Sequence, residues 1–142
     1  MRLAIALYVA LTVSASAAAP PSIAGDWHED ETYSGMRTIA LSHFRTDGTF
    51  TIEFRECKKD GVFDHTDTGH WAYASGDLRI TTETQNGFWI YAVDDYKTMS
   101  YDGRLWVYKS VHGPGFDQYG QVTFHDVRVT STSKMPGCDL TS

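Results

Sequence analysis

The chain is short of positive charge: 12 Lys and Arg residues stand against 18 Asp and Glu, a formal net charge of −6. A nucleic-acid or anionic-membrane partner calls for a basic face, so this balance argues against both. Cysteine is nearly absent, with Cys57 and Cys138 alone, and two cysteines so far apart carry no metal-ligand spacing. After Pro20 no segment sustains helical periodicity and no internal repeat is found, which argues against an all-helical or repeat fold. There is no Gly-x-Ser-x-Gly, no Cys-His signature and no phosphate-binding loop, so the familiar hydrolase, thiol and nucleotide chemistries have no motif to stand on.

What is present begins with a leader. Arg2 precedes an apolar run from Leu3 to Val13, and small residues fill Ser14 to Ala19. That pattern predicts a signal peptide over residues 1–19, cut near Ala18 or Ala19. The run is too short to anchor the chain in a bilayer, and no cysteine follows it to take a lipid. Residues 20–142 then form one domain with a formal charge of −7, eleven basic residues against eighteen acidic ones. The expected location is periplasmic or extracellular. In such an oxidising compartment a Cys57–Cys138 disulfide is the default, worth about 4 kcal/mol by loop-entropy arguments. Two free thiols or a zinc pair are the rival readings.

Short β signals follow one another along the rest of the chain. Strands are expected at Gly25–Glu29, Met36–Phe44, Thr49–Cys57, Gly69–Ala74, Leu78–Thr84, Phe88–Val93, Thr98–Tyr101, Leu105–Ser110 and Val122–Thr130. Asp47-Gly48, Ser75-Gly76-Asp77, Asn86-Gly87 and Asp102-Gly103 supply the turns between them. Such short connections pair sequential strands antiparallel and suggest a sandwich or, as favoured here, an up-and-down β-barrel of about 8–9 strands, which leaves no exposed edge. Lys58–Thr68 and His112–Gly120 read as long loops at the barrel ends.

The faces of these strands point to a lumen. Phe50, Ile52 and Phe54 alternate with Thr49, Thr51 and Glu53, the period of a half-buried strand. Trp71 shares a face with Tyr73, and Trp89 with Tyr91. Aromatic residues make up 13% of the chain; singly they are most simply core, and as a set they describe an apolar cavity with polar tips. The face of His43 depends on the hairpin register. A two-residue loop sets His43 opposite Ile52 and turns it inward with Ile39 and Leu41. A three-residue loop with a bulge at Gly48 slips the register by one, brings Phe44 opposite Phe50 and turns His43 out. The first keeps both apolar alternations on one side and is favoured here.

Several of these segments resemble the lipocalins. Gly25-Asp26-Trp27 resembles their first signature. Trp89 to Tyr101, with Asp95-Tyr96, followed by Asp102-Gly103-Arg104-Leu105-Trp106, is similar to their second, especially in bacterial members. The resemblance implies a barrel open at one end that holds a small hydrophobic or amphipathic ligand. It also implies that Trp27 closes the floor under an arginine. The family's position for that arginine holds Lys109 and Ser110, so Arg128 on the last strand is the substitute. A strand stands where the family has a long C-terminal helix, which favours the shorter lipocalin-like group. A disulfide from the C-terminal segment to a barrel strand fits the family's habit.

The expected ligand wall is therefore His43, Phe50, Ile52, Phe54, Trp71, Tyr73, Trp89 and Tyr91, with Gly25, Trp27, Asp95, Tyr96 and Arg128 structural. No metal or other cofactor is expected. Asp64 to His70 is the densest polar cluster, and with His112 or His125 it lacks ligand spacing; a solvated loop explains it more simply. Haem through His43 or His125 has no motif behind it. Two alternatives stand beside a carrier. One is a small enzyme using His43 with Asp94, Asp95 or Tyr96 as an acid–base pair. The other is an exported inhibitor or interaction protein with a filled barrel, reaching a protein partner through Gly113–Phe116 with Phe116 as anchor.

Overall fold

The structure, a computed structural model, describes residues 22–138; the leader expected over 1–19 lies outside the described residues. Eight antiparallel strands each pair with the next: β1 (Gly25–Tyr33), β2 (Met36–Phe44), β3 (Thr49–Lys58), β4 (Gly61–Ala74), β5 (Asp77–Gln85), β6 (Phe88–Tyr101), β7 (Leu105–His112) and β8 (Thr123–Val129). One short helix, α1 (Pro114–Tyr119), lies between β7 and β8. β8 returns to pair with β1, Trp27 opposite Arg128, and the barrel closes. The fold is all-β and up-and-down, as expected.

Three elements depart from the reading of the sequence. Phe88–Val93 and Thr98–Tyr101 are one strand, β6, whose register shifts near Asp95 and Ser100 absorb the irregular stretch between them. Most of Lys58–Thr68, expected as a loop, belongs to β4. Its alternation is polar rather than apolar, because Asp64 pairs with Arg55 outside while His65 and Asp67 face the lumen. His112–Gly120 contains α1, too short for periodicity to reveal.

The β2–β3 hairpin takes the register that the sequence disfavoured. Phe44 pairs with Phe50, Ser42 with Ile52 and Ala40 with Phe54. The turn decides it. Arg45 O accepts the Gly48 N–H at 3.1 Å, and Gly48 has φ +84°, which bulges the loop to three residues. Asp47 Oδ1 fixes the turn by accepting from the Thr49 backbone N–H at 2.9 Å and its hydroxyl at 2.6 Å. His43 therefore lies on the outer face, its Nδ1 2.6 Å from Asp26 Oδ1.

One end of the barrel is packed solid. Ile23, Trp27, Phe44, Phe50, Leu78 and Trp106 are all buried there. The Trp27 and Trp106 rings sit 5.5 Å apart, and Phe44 meets Trp106 edge-on at 6.1 Å. Trp27 Nε1 donates to Ile23 O at 2.8 Å, which satisfies its one polar atom. The Arg128 guanidinium lies 4.3 Å from the Trp27 ring centroid and donates to Gly103 O, Ala24 O and Tyr101 Oη. Gly25 must be glycine: its φ is +136°, and a Cβ there would overlap the Arg128 guanidinium.

Cys57 and Cys138 form a disulfide, with Cα atoms 5.6 Å apart; neither is a free thiol or a zinc ligand. The bond ties the segment after β8 to the end of β3. Arg55 donates to Pro136 O at 2.9 Å and Arg37 to Cys138 O at 3.5 Å, along the same path. Among the described residues no helix is long and apolar enough to cross a membrane.

Candidate ligand cavity

Above the packed floor the lumen holds a cavity of about 390 Å³. Small side chains leave the room: Ala40 and Ser42 on β2, Thr82 on β5, Ala92 on β6 and Ser110 on β7 all point inward. Ile52, Phe54, Ile80, Ile90 and Phe124 give it apolar walls. Pro114, Gly115, Gln118 and Tyr119 of α1 border the cavity. Asp94 Oδ1 accepts the Gly115 N–H at 3.0 Å and holds that helix to β6.

The polar part of the lining is acidic. Glu29, Glu56, Asp67 and Asp94 border the cavity, with His65 and without any lysine or arginine. Glu29 is 7% exposed. Tyr33 Oη donates to its Oε1 at 2.5 Å. Burial, opposed by the Tyr33 hydrogen bond and helped by the charges of Glu31 and Asp30, pushes the Glu29 carboxyl up to about 7. Asp126, on β8 beside β1, is fully buried and accepts the Tyr108 hydroxyl at 3.2 and 3.3 Å. Burial, with the charge of Glu29, holds its pKa well above the usual carboxylate range. Asp67 and Asp94 are also raised by burial, against hydrogen bonds from Gln85 and from the Gly115 N–H. Tyr33, the donor to Glu29, belongs to an aromatic group: Phe124 packs on Tyr33, Tyr96 and Tyr108 with ring centroids 5.6, 5.7 and 5.1 Å apart.

Of the residues expected to form the ligand wall, the structure brings Ile52 and Phe54 to the cavity. Phe50 belongs to the floor beneath it. Trp71 and Tyr73 pack against that floor; Trp71 Nε1 donates to Arg45 O at 2.9 Å and Thr49 O at 3.1 Å, and Tyr73 Oη to Thr98 Oγ1 at 3.3 Å. His43, Trp89 and Tyr91 stand outside the barrel, the two rings 72% and 70% exposed. β6 begins apolar on both faces, so its sequence does not say whether Trp89 or Ile90 turns inward. Pairing with β5 turns Ile90, Ala92, Asp94 and Tyr96 to the lumen. Tyr96 is thus a cavity residue, while Asp95 faces out and is gripped by Arg79 at 2.7 and 3.0 Å.

The acid–base pair is not assembled: His43 pairs with Asp26 on the outer face, Asp94 and Tyr96 face the lumen, and Asp95 is held by Arg79. The Asp64–His70 cluster is likewise split between faces. Asp64 pairs with Arg55, His65 stacks on Phe54 at 4.7 Å, and His70 Nδ1 lies 3.0 Å from Glu83 Oε1. Among the described residues no three His, Cys, Asp or Glu side chains are placed to hold a metal ion.

Sequence reasoning overlooked Glu29, Tyr33, Tyr108 and Asp126, and read Asp67 as part of a solvated loop. Parity was the available signal: if Trp27 is inward, so are Glu29 and Tyr33, and if Trp106 is inward, so is Tyr108. Comparison of the chain with family models, with curated proteins and with solved structures finds no match.

Proposed function

We propose that the protein is an exported binding protein of lipocalin-like type that carries a small apolar or amphipathic molecule in its lumen. The observation that carries this reading is the cavity of about 390 Å³ above a fully packed floor. Its size falls in the range of small-molecule sites, roughly 300–1,000 Å³. The interior is therefore unlike that of a filled scaffold. Transfer of apolar ligand area from water would drive binding, at about 25 cal/mol per Å² before ordering costs. Export is supported by the disulfide and by the leader-like sequence of residues 1–19.

Titration with N-phenyl-1-naphthylamine, an uncharged dye that brightens in apolar sites, tests the reading. Wild type is expected to bind it saturably. Ala92→Phe, which fills the lumen, is expected to weaken binding by more than about tenfold without lowering the melting temperature. Equal binding by both proteins would place the dye elsewhere and count against a lumen site.

One observation favours a protein-interaction role beside it. Trp89 and Tyr91, on the outer face at the start of β6, are 72% and 70% accessible, and Phe88 beside them in the sequence is 77% accessible. The Gly113–Phe116 segment, expected to do that work, instead enters α1 beside the cavity.

A further inference from the structure

Resting on the carrier reading, we propose that the ligand is an organic cation: an amine or ammonium group on an apolar body, its charged head against Glu29 inside the aromatic group of Tyr33, Tyr96, Tyr108 and Phe124.

The lining sets the sign of the charge. Four carboxylates border the cavity, and no lysine or arginine does. Glu56 has a cation, Lys58 Nζ at 2.7 Å, while Asp67, Asp94 and Glu29 each have one neutral donor, Gln85 Nε2, the Gly115 N–H and the Tyr33 hydroxyl. Glu29 is the buried one of these three, and its Oε2 takes no hydrogen bond from the described residues. Behind it Asp126 is buried with a single hydroxyl as donor. Two adjacent buried carboxyls can ionise only at a cost when no cation of the protein stands beside them. A ligand cation at Oε2 supplies the missing positive charge through a charge-assisted hydrogen bond.

The rings point the same way. Tyr33, Tyr96, Tyr108 and Phe124 all border the cavity and pack on one another, and aromatic faces attract ammonium groups. Ile52, Phe54, Ile80 and Ile90 are left for the apolar body. A fatty acid or other anion would meet repulsion from Glu29, Asp67 and Asp94 in a poorly solvated site.

The test compares three molecules that share one ring system: tryptamine, tryptophol and indole-3-propionate, each titrated calorimetrically into the oxidised protein at neutral pH. Tryptamine is expected to bind at least about tenfold more tightly than tryptophol, the size of one charge-assisted bond, with indole-3-propionate weakest. Glu29→Gln is expected to remove the preference for the amine while the naphthylamine dye still binds; should that variant fail to fold, the ranking on wild type decides alone. Equal affinity for amine and alcohol, or tightest binding of the acid, would overturn the cation assignment and leave the lumen reading standing, provided the dye binds. Failure of tryptamine to bind or to displace a bound dye would also overturn it. Loss of the dye together with all three indoles would instead sink the carrier reading on which the proposal rests.

Discussion

Glu29 carries a consequence for stability as well as for binding. Its folded pKa of about 7 lies above the ordinary 4.5. Between those values the folded state binds more protons than the unfolded chain, so stability falls as pH rises through that window. Asp126, raised by burial next to it, acts in the same direction. The ion-paired Asp30, Asp64 and Asp95 are lowered by Arg37, Arg55 and Arg79, and their contribution disappears only as pH falls below the usual carboxylate range. Thermal unfolding should therefore show the highest melting temperature in mild acid and a decline toward pH 8. Glu29→Gln should flatten the decline. A melting temperature that rises steadily from pH 5 to 8 would show that Glu29 is ionised without penalty. At the other end of the barrel, Arg128→Ala removes three hydrogen bonds and a cation–π contact from beneath Trp27. Chemical denaturation should register a loss of about 2–4 kcal/mol. Arg128→Lys should recover less than half of it, because an ammonium group cannot present the planar fork that reaches all three acceptors.

At the scale of elements, the segment after β8 has no strand to join and is held by the bond to Cys57 and by Arg37 and Arg55. Cys57→Ser and Cys138→Ser should lower stability equally, by up to about 4 kcal/mol, since each breaks the same bond. Hydrogen exchange should then quicken in residues 131–138 and leave the floor strands protected; a matching loss of protection on β1 and β7 would mean the bond holds the whole barrel. The strands themselves show what a sequence conveys. Apolar alternation marked β2, β3, β5 and β7 well, and Asn86-Gly87 and Asp102-Gly103 placed their turns. β4 escaped in its first half because its inward residues are His65 and Asp67, which read as loop chemistry. The register of the β2–β3 hairpin turned on a Gly48 bulge, a single backbone angle that apolar pattern does not encode, and with it went the face of His43.

For the whole molecule, closure is the fact that organises the rest. An eight-stranded up-and-down barrel has no free edge, and every inward position along the ring contributes either to a floor or to a lumen. Large rings at Trp27, Phe44, Phe50 and Trp106 make the floor, and small residues at Ala40, Ser42, Thr82 and Ala92 make the space above it. The barrel class was legible from short strands and tight turns. The lumen's chemistry was not, since an acidic residue on a strand reads as solvent-facing until the ring is closed around it. The central claim is that this space is occupied in service of function. The measurement that tests it most directly is native mass spectrometry of the protein purified from its source, before and after organic extraction. The expected result is a complex heavier than the chain by one small molecule that extraction releases, and an extracted protein that takes the molecule back. An empty protein that shows only the disulfide, and that accepts neither the extract nor the dye, would contradict it.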